Sequence, residues 1–217
     1  MIDTIKFDIP LKLSEEELEK ISWSEETEKE RDGRITCFYN LKANARIGEP
    51  FIYYVKSKDN PTRYCLRIEV SLPKFRFGTN YYELDDTEMT HTLEELKQYI
   101  CTELRISRKK LPHIDSWRIK KLHICKNFNA DQEIQDYLLN ASRKVLPKRK
   151  TTTYKASGGD EIQTVVWNSS SAKDKLYDKH AEISEKQGRH KDAELLLQQS
   201  KGCLRYEREL SKKDIKI

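Results

Sequence analysis

Arg63–Tyr64–Cys65–Leu66–Arg67–Ile68–Glu69–Val70–Ser71–Leu72 is the stretch whose reading decides the fold. Leu66, Ile68, Val70 and Leu72 alternate with Arg67, Glu69 and Ser71. A period of two marks a strand with one face on a core and the other toward water. Pro73 and Gly78 then end the run. Working outward, Arg34–Leu41 and Pro50–Lys56 also read as strands, and Thr4–Leu13, interrupted by Pro10, suits an edge strand. Ser14 followed by Glu15, Glu16 and Glu17 forms a capping box that opens a short helix to about Ile21. The acidic residues 22–33 read as a loop.

Downstream, Thr92 with Glu95 caps a helix to about Leu104, with Leu93, Leu96 and Ile100 on one face. Ser116–Phe128 returns to β character, and Asn129 caps a helix through Ser142. Thr151–Lys155 and Glu161–Asn168 form a hairpin around Ser157–Gly158–Gly159. Residues 182–200 are helical by propensity, Gly202 breaks them, and Cys203–Leu210 is a last strand. Interspersed strands and helices with several hairpins predict an α+β fold: a mainly antiparallel sheet with flanking helices, in a single domain over residues 1–217.

Composition narrows the function. Of 217 residues, 36 % are hydrophobic and 35 % charged, and 41 Lys and Arg stand against 36 Asp and Glu, a net charge of +5. The distribution says more than the sum. Arg105, Arg108, Lys109, Lys110, Arg118, Lys120, Lys121 and Lys126 share a stretch with one acid, Asp115. Arg143, Lys144, Lys148, Arg149 and Lys150 form a second cluster. Such stretches suit a phosphate backbone or a solvated charged face. The five cysteines are widely spaced with no CxxC pair, which points to reduced thiols in a cytosol. No apolar run approaches the roughly 20 residues that cross a bilayer. Met1–Ile2–Asp3–Thr4 lacks the basic and apolar regions of a signal peptide. A cytoplasmic protein is expected.

Strand parity also suggests chemistry. Arg67 and Glu69 share the polar face of their strand. In Ser116–Phe128, Leu122 and Ile124 are expected inward, with Lys121, His123 and Cys125 opposite. In Cys203–Leu210, Leu204, Tyr206 and Leu210 alternate with Arg205, Glu207 and Glu209. If the three strands lie side by side, Glu69, His123 and Glu207 converge on one polar face. Carboxylates with an imidazole suit Mg²⁺ or Mn²⁺ better than structural zinc. The alternative is that each sits on a solvent face, with Glu69 and Glu207 paired to neighbouring arginines.

Gln163–Thr164–Val165–Val166–Trp167–Asn168 is followed, nine residues later, by Tyr177–Asp178–Lys179–His180–Ala181–Glu182. Tyrosine is a nucleophile suited to holding a phosphoester covalently, though a Tyr-Asp-Lys run also suits a solvated strand end. On a strand, Lys179 points the same way as Tyr177. At a helix start, His180 is its neighbour and Lys179 pairs with Glu182. Either partner would help a phenol with an ordinary pKa of about 10 attack near neutral pH.

Four blocks carry a family resemblance: Tyr64–Phe75 with Gly78–Thr79–Asn80; Trp117–Phe128; Thr164–Asn168 with Tyr177–Glu182; and Gly202–Glu207. With them the chain resembles the gene II/gene X family of filamentous-phage and plasmid rolling-circle replication initiators, of the wider HUH endonuclease group. The resemblance implies an HUH-endonuclease-like fold and a metal-dependent enzyme that nicks and rejoins one DNA strand. Tyr177 falls on the family's nucleophile, joined to the 5′ phosphate in the intermediate, with Lys179 and His180 as catalytic neighbours. A divalent ion, Mg²⁺ or Mn²⁺, is implied on Glu69, His123, Glu207 and Glu182. Single-stranded or origin DNA is implied across the sheet, held by Arg67, Lys74, Arg118, Lys120, Lys121 and Lys126 and stacked on Trp167. A host helicase is implied as partner, in the cytoplasm of the bacterium that carries the phage or plasmid. Two departures stand out. His123 occupies the place of a family aspartate, and the paired histidines of the HUH name are missing. Family members also run past the last block, so Ile217 suggests an isolated nuclease domain or a short form. The rival expectation is a non-cleaving single-stranded or origin DNA-binding protein on the same fold.

Overall fold

Four strands precede or flank the alternating stretch and join it in one antiparallel sheet: β1 (Ile2–Ile9), β2 (Glu25–Arg31), β3 (Arg34–Asn40) and β4 (Phe51–Ser57), with β5 (Tyr64–Ser71) as the stretch itself. The structure, a computed structural model, describes residues 1–41, 48–131, 133–170, 172–186 and 192–211. It divides into an N-terminal unit, Thr4–Asn80 with Leu84–Lys120, and a C-terminal unit, Met1–Asp3 and Tyr81–Glu83 with Lys121–Ile217.

The strand order in the N-terminal unit is β2-β3-β4-β5-β1. Ile5 lies opposite Val70, Phe7 opposite Ile68 and Ile9 opposite Leu66, all buried, as the alternation requires. The other face carries ions. Lys6 pairs with Glu69 at 3.1 Å, and Asp8 holds both Arg67 at 3.1 Å and Lys120 at 2.9 Å. The acidic residues expected as a loop instead contain β2. Asp32 (φ 52°) and Gly33 (φ 69°) make the two-residue turn with both central residues left-handed, and this pins Arg31 against Arg34. The turn overrides the poor strand propensity of the glutamates.

α1 (Glu15–Lys20) carries the expected capping box between Ser14 and Glu17. Pro73 does not lead into a loop after β5. It sits in the first turn of α2 (Leu72–Phe77), where a missing N–H costs nothing, and Gly78 caps that helix at φ 73°. α3 (Asp86–Glu103) starts earlier than expected because Asp85 and Glu88 form the capping box. Thr92 is buried inside it, with its hydroxyl donating to the Glu88 carbonyl at 2.6 Å.

The C-terminal unit holds β6 (Arg118–Asn129, from Lys121 onward), β7 (Lys150–Lys155), β8 (Ile162–Asn168), β9 (Ala172–Asp178) and β10 (Cys203–Ser211), in the antiparallel order β6-β10-β9-β8-β7. α4 (Ile134–Ser142) buries Ile134 and Leu138 against Val165, Trp167 and Leu204 on one face of this sheet. Asn129 ends β6 rather than capping α4, and its side chain accepts from the Asp131 N–H at 3.2 Å. The inward assignment on β6 is also corrected: Ile124 and Phe128 are exposed, while Cys125 is buried. In place of one helix over 182–200 there are α5 (Lys179–Glu185) and α6 (Ala193–Gln199); residues 187–191 lie outside the described residues. Gly202 has φ 74°, and a Cβ there would meet the Asp131 carbonyl at 2.9 Å, so glycine is required where the chain turns into β10. The five cysteines are free thiols. Among the described residues no helix is long and apolar enough to cross a membrane.

Candidate active site

β9 is the strand that places Tyr177, and the sequence reading did not find it. Lys173–Asp174–Lys175 obscures an alternation that pairing with β8 and β10 makes real. Tyr177 lies between Thr164 on β8 and Arg205 on β10, and Arg205 in turn faces Asn127 on β6. One pleat further, Cys125, Glu207 and Lys175 form the next row, and beyond it lie His123, Glu209 and Lys173. All share one face, because residues opposite each other in an antiparallel sheet point the same way.

The phenol of Tyr177 donates to Oε1 of Glu207 at 2.7 Å. The same oxygen accepts from Nε of Arg205 at 3.0 Å, and Lys175 stands 3.8 Å from the other carboxylate oxygen. Arg205 is fully buried and spends its fork on four groups: Glu207, Asp3 at 3.0 Å, Asn127 at 3.1 Å and the Cys125 sulfur at 3.0 Å. Burial alone would weaken its charge, but Tyr177, Cys125, Asp3 and Glu207 around it raise its pKa. Burial pushes the Cys125 thiol up to about 12, so it accepts the guanidinium contact as a neutral thiol.

Asp178 ends β9 and caps α5, its carboxylate accepting from the Ala181 N–H at 3.1 Å. The switch from strand to helix after Tyr177 combines the two arrangements the sequence left open. Lys179 is fully buried with Nζ 5.8 Å from the centre of the Tyr177 ring, and it also pairs with Glu182 at 2.5 Å. His180 turns away, its Nδ1 meeting the Leu197 carbonyl at 3.0 Å and the Ser200 hydroxyl at 3.2 Å. It joins α5 to α6 and does not meet Tyr177. Tyr177 itself is 8 % exposed, and burial, followed by the charge of Glu207, raises its pKa well above the ordinary phenol value. Tyr177 is therefore a protonated phenol hydrogen-bonded to a carboxylate.

Each of the expected metal ligands has a partner of its own. Glu69 belongs to the N-terminal unit and pairs with Lys6; Glu207 is held by Arg205, as the arginine-paired alternative has it; Glu182 is held by Lys179 and Lys186. His123 lies opposite Glu209, 3.4 Å away, while burial and Lys121 lower its pKa. Among the described residues no three His, Cys, Asp or Glu side chains come together in a way that would hold a metal ion. The three carboxylates, each paired with an ammonium or guanidinium, do not fit a divalent cation in this arrangement.

The expected DNA contacts divide. Lys121 lies on the Tyr177 face, paired to Glu209 at 2.8 Å. Lys126 lies on the opposite face beside Tyr206. Trp167 lies on the face opposite Tyr177, largely buried against Val165, Leu204 and Leu138. Arg67, Lys74, Arg118 and Lys120 belong to the N-terminal unit, where Asp8 holds Arg67 and Lys120. Lys173 and Lys175 are cations on the Tyr177 face that the sequence reading missed with their strand. Asp3 and Asn127 were missed too, since nothing local marks a residue as a partner of Arg205.

Glu182 gives the site an acid limb. Burial would raise its pKa, but Lys179 and Lys186 outweigh burial and hold it at about 2. Because the folded value lies below the unfolded one near 4.5, the pair stabilises the fold above the unfolded pKa and loses this as pH falls toward 2. The contribution is up to about 3 kcal/mol at neutral pH. Urea unfolding of Glu182→Gln should show a flatter stability curve than wild type below pH about 5; parallel curves would remove Glu182 from the acid response.

A family model for phage proteins, described as the N-terminal part of a replication-associated protein, matches residues 1–216. Neither a curated protein nor a solved structure matches the chain.

Proposed function

The chain belongs to this family of phage replication-associated proteins, and from that premise we propose that it initiates replication by nicking and rejoining one DNA strand through Tyr177. The observation that carries the proposal is the 2.7 Å hydrogen bond from the Tyr177 phenol to Glu207, on a sheet face that also holds Lys121, Lys173 and Lys175. In the cutting step the phenol oxygen bonds to phosphorus and the bond from phosphorus to the 3′ oxygen breaks. Glu207 takes the phenolic proton, and the departing 3′ oxygen leaves as a hydroxyl after gaining one from solvent. The reverse displacement, with a 3′ hydroxyl attacking the phosphotyrosine, joins the strand and returns the proton to the phenol.

Proton transfer concerted with attack is what this geometry favours. A phenol pushed up by burial has almost no free phenolate near neutral pH, so the base must act as the new bond forms. Lys179, its Nζ 5.8 Å from the ring centre, adds positive charge to the surroundings of the phenol. No step is assigned to a metal ion, since the carboxylates are engaged with cations. The rival, a non-cleaving single-stranded or origin DNA-binding protein, is favoured by one observation: Tyr177 is only 8 % exposed.

A labelled single-stranded oligonucleotide library incubated with wild type and with Tyr177→Phe decides between them on a denaturing protein gel. A covalent protein–DNA band is expected with wild type and absent from the variant. DNA binding without an adduct under any metal condition would leave the non-cleaving reading. Parallel lanes with Mn²⁺, Mg²⁺ and EDTA read the metal requirement directly.

A further inference from the structure

The face of the C-terminal sheet opposite Tyr177 carries a groove that the nicking chemistry does not use. It encloses about 620 Å³, within the roughly 300–1,000 Å³ of small-ligand sites. Its floor is Trp167 on β8, opposite Asp174, and Leu176 on β9, opposite Tyr206 on β10, and Tyr137 of α4 stands at its edge, 49 % exposed. Asp174, also on the floor, is almost fully buried. It accepts the Tyr206 hydroxyl and is paired with both Arg149 and Arg208, the latter at 3.6 Å. Lys144 lines the groove as well. Three cations therefore face one carboxylate, and apart from Asn140 the rest of the lining is aromatic and aliphatic.

We infer that this groove takes one unstacked nucleotide of a DNA single strand, its base against the aromatic and aliphatic lining and its phosphate on Lys144 and Arg149. The charge balance suits an anion, and a guanidinium matches phosphate oxygens with two parallel donors. The aromatic faces suit a base of any identity. A duplex cannot offer such a base without flipping it. The groove also gives a use to the cluster Arg143, Lys144, Lys148, Arg149 and Lys150, which lies between α4 and β7 and has no part in the Tyr177 site. The inference rests on the DNA reading above but not on cleavage: a chain that bound DNA and never cut it would still use the groove.

The test is equilibrium binding of a fluorescein-labelled, mixed-sequence single-stranded oligonucleotide to the Tyr177→Phe chain, followed by anisotropy. Tyr137→Ala and Lys144→Glu, both at exposed residues, are added to that background, with Leu139→Ala on α4 outside the groove as control. Each groove variant should raise Kd at least about fivefold, with thermal melting unchanged, while the control binds as the parent does. An abasic strand of equal length should bind the parent and Tyr137→Ala alike. Groove variants that match the parent would overturn the inference and leave the DNA reading intact. Sensitivity of the abasic strand to Tyr137→Ala would overturn the base contact. A parent that binds no single strand would sink the DNA reading itself.

Discussion

Glu207→Gln should slow formation of the covalent adduct by about 10²–10⁴-fold, the range that a positioned general base supplies. Glutamine keeps an oxygen for the Tyr177 hydroxyl but cannot take its proton. Tyr177 has no easy route around that loss, because burial and the neighbouring charge disfavour the phenolate. Single-turnover adduct formation measures the effect, with oligonucleotide affinity as a parallel readout that should change little. Glu207→Asp retains a carboxylate on a shorter arm and should recover part of the rate. A Gln variant that forms adduct at a rate close to wild type would remove Glu207 from proton transfer. Tyr177 would then need another base.

Arg205→Leu should destabilise the C-terminal unit by about 3–5 kcal/mol, because it strands buried charge rather than merely deleting a contact. Asp3 and Glu207 both lose the guanidinium that offsets their removal from water, and Asn127 loses a donor. That is a large share of the roughly 5–15 kcal/mol typical of a domain. Arg205→Lys should fall between, since a single ammonium cannot span groups that the guanidinium reaches with three nitrogens. Urea unfolding gives the values. A loss of less than about 1 kcal/mol for the leucine variant, the scale of a surface ion pair, would mean that the network is solvated in solution. The two predictions meet at one side chain: Arg205 fixes the carboxylate that Glu207 offers to the phenol.

Much of the basic surface reads differently once partners are visible. Arg108 pairs with Glu94 and Lys110 with Glu17, so part of the first cluster is a solvated charged face laced with acids. The second cluster flanks the groove behind Tyr177. Charge runs alone did not separate these cases, because the acids that neutralise the first come from distant positions in the chain.

By itself the sequence determined what depends on neighbours along the chain. The alternation of Leu66, Ile68 and Val70 made a half-buried strand, Ser14 with Glu17 made a capped helix, and Gly202 marked the turn into β10. The blocks around Tyr177 also led to the phage replication family that the comparison bears out. These signals are local because pleat, cap and turn are set by a few consecutive residues. Tertiary structure decided the rest. Pairing with β8 and β10 turned the polar run Lys173–Asp174–Lys175 into the strand that positions Tyr177. Register placed Glu207 within reach of the phenol, set His123 opposite Glu209, and put Trp167 on the core side. Those outcomes depend on which strands lie side by side, and a slip of one residue in a pairing would send the slipped strand's side chains to the other face.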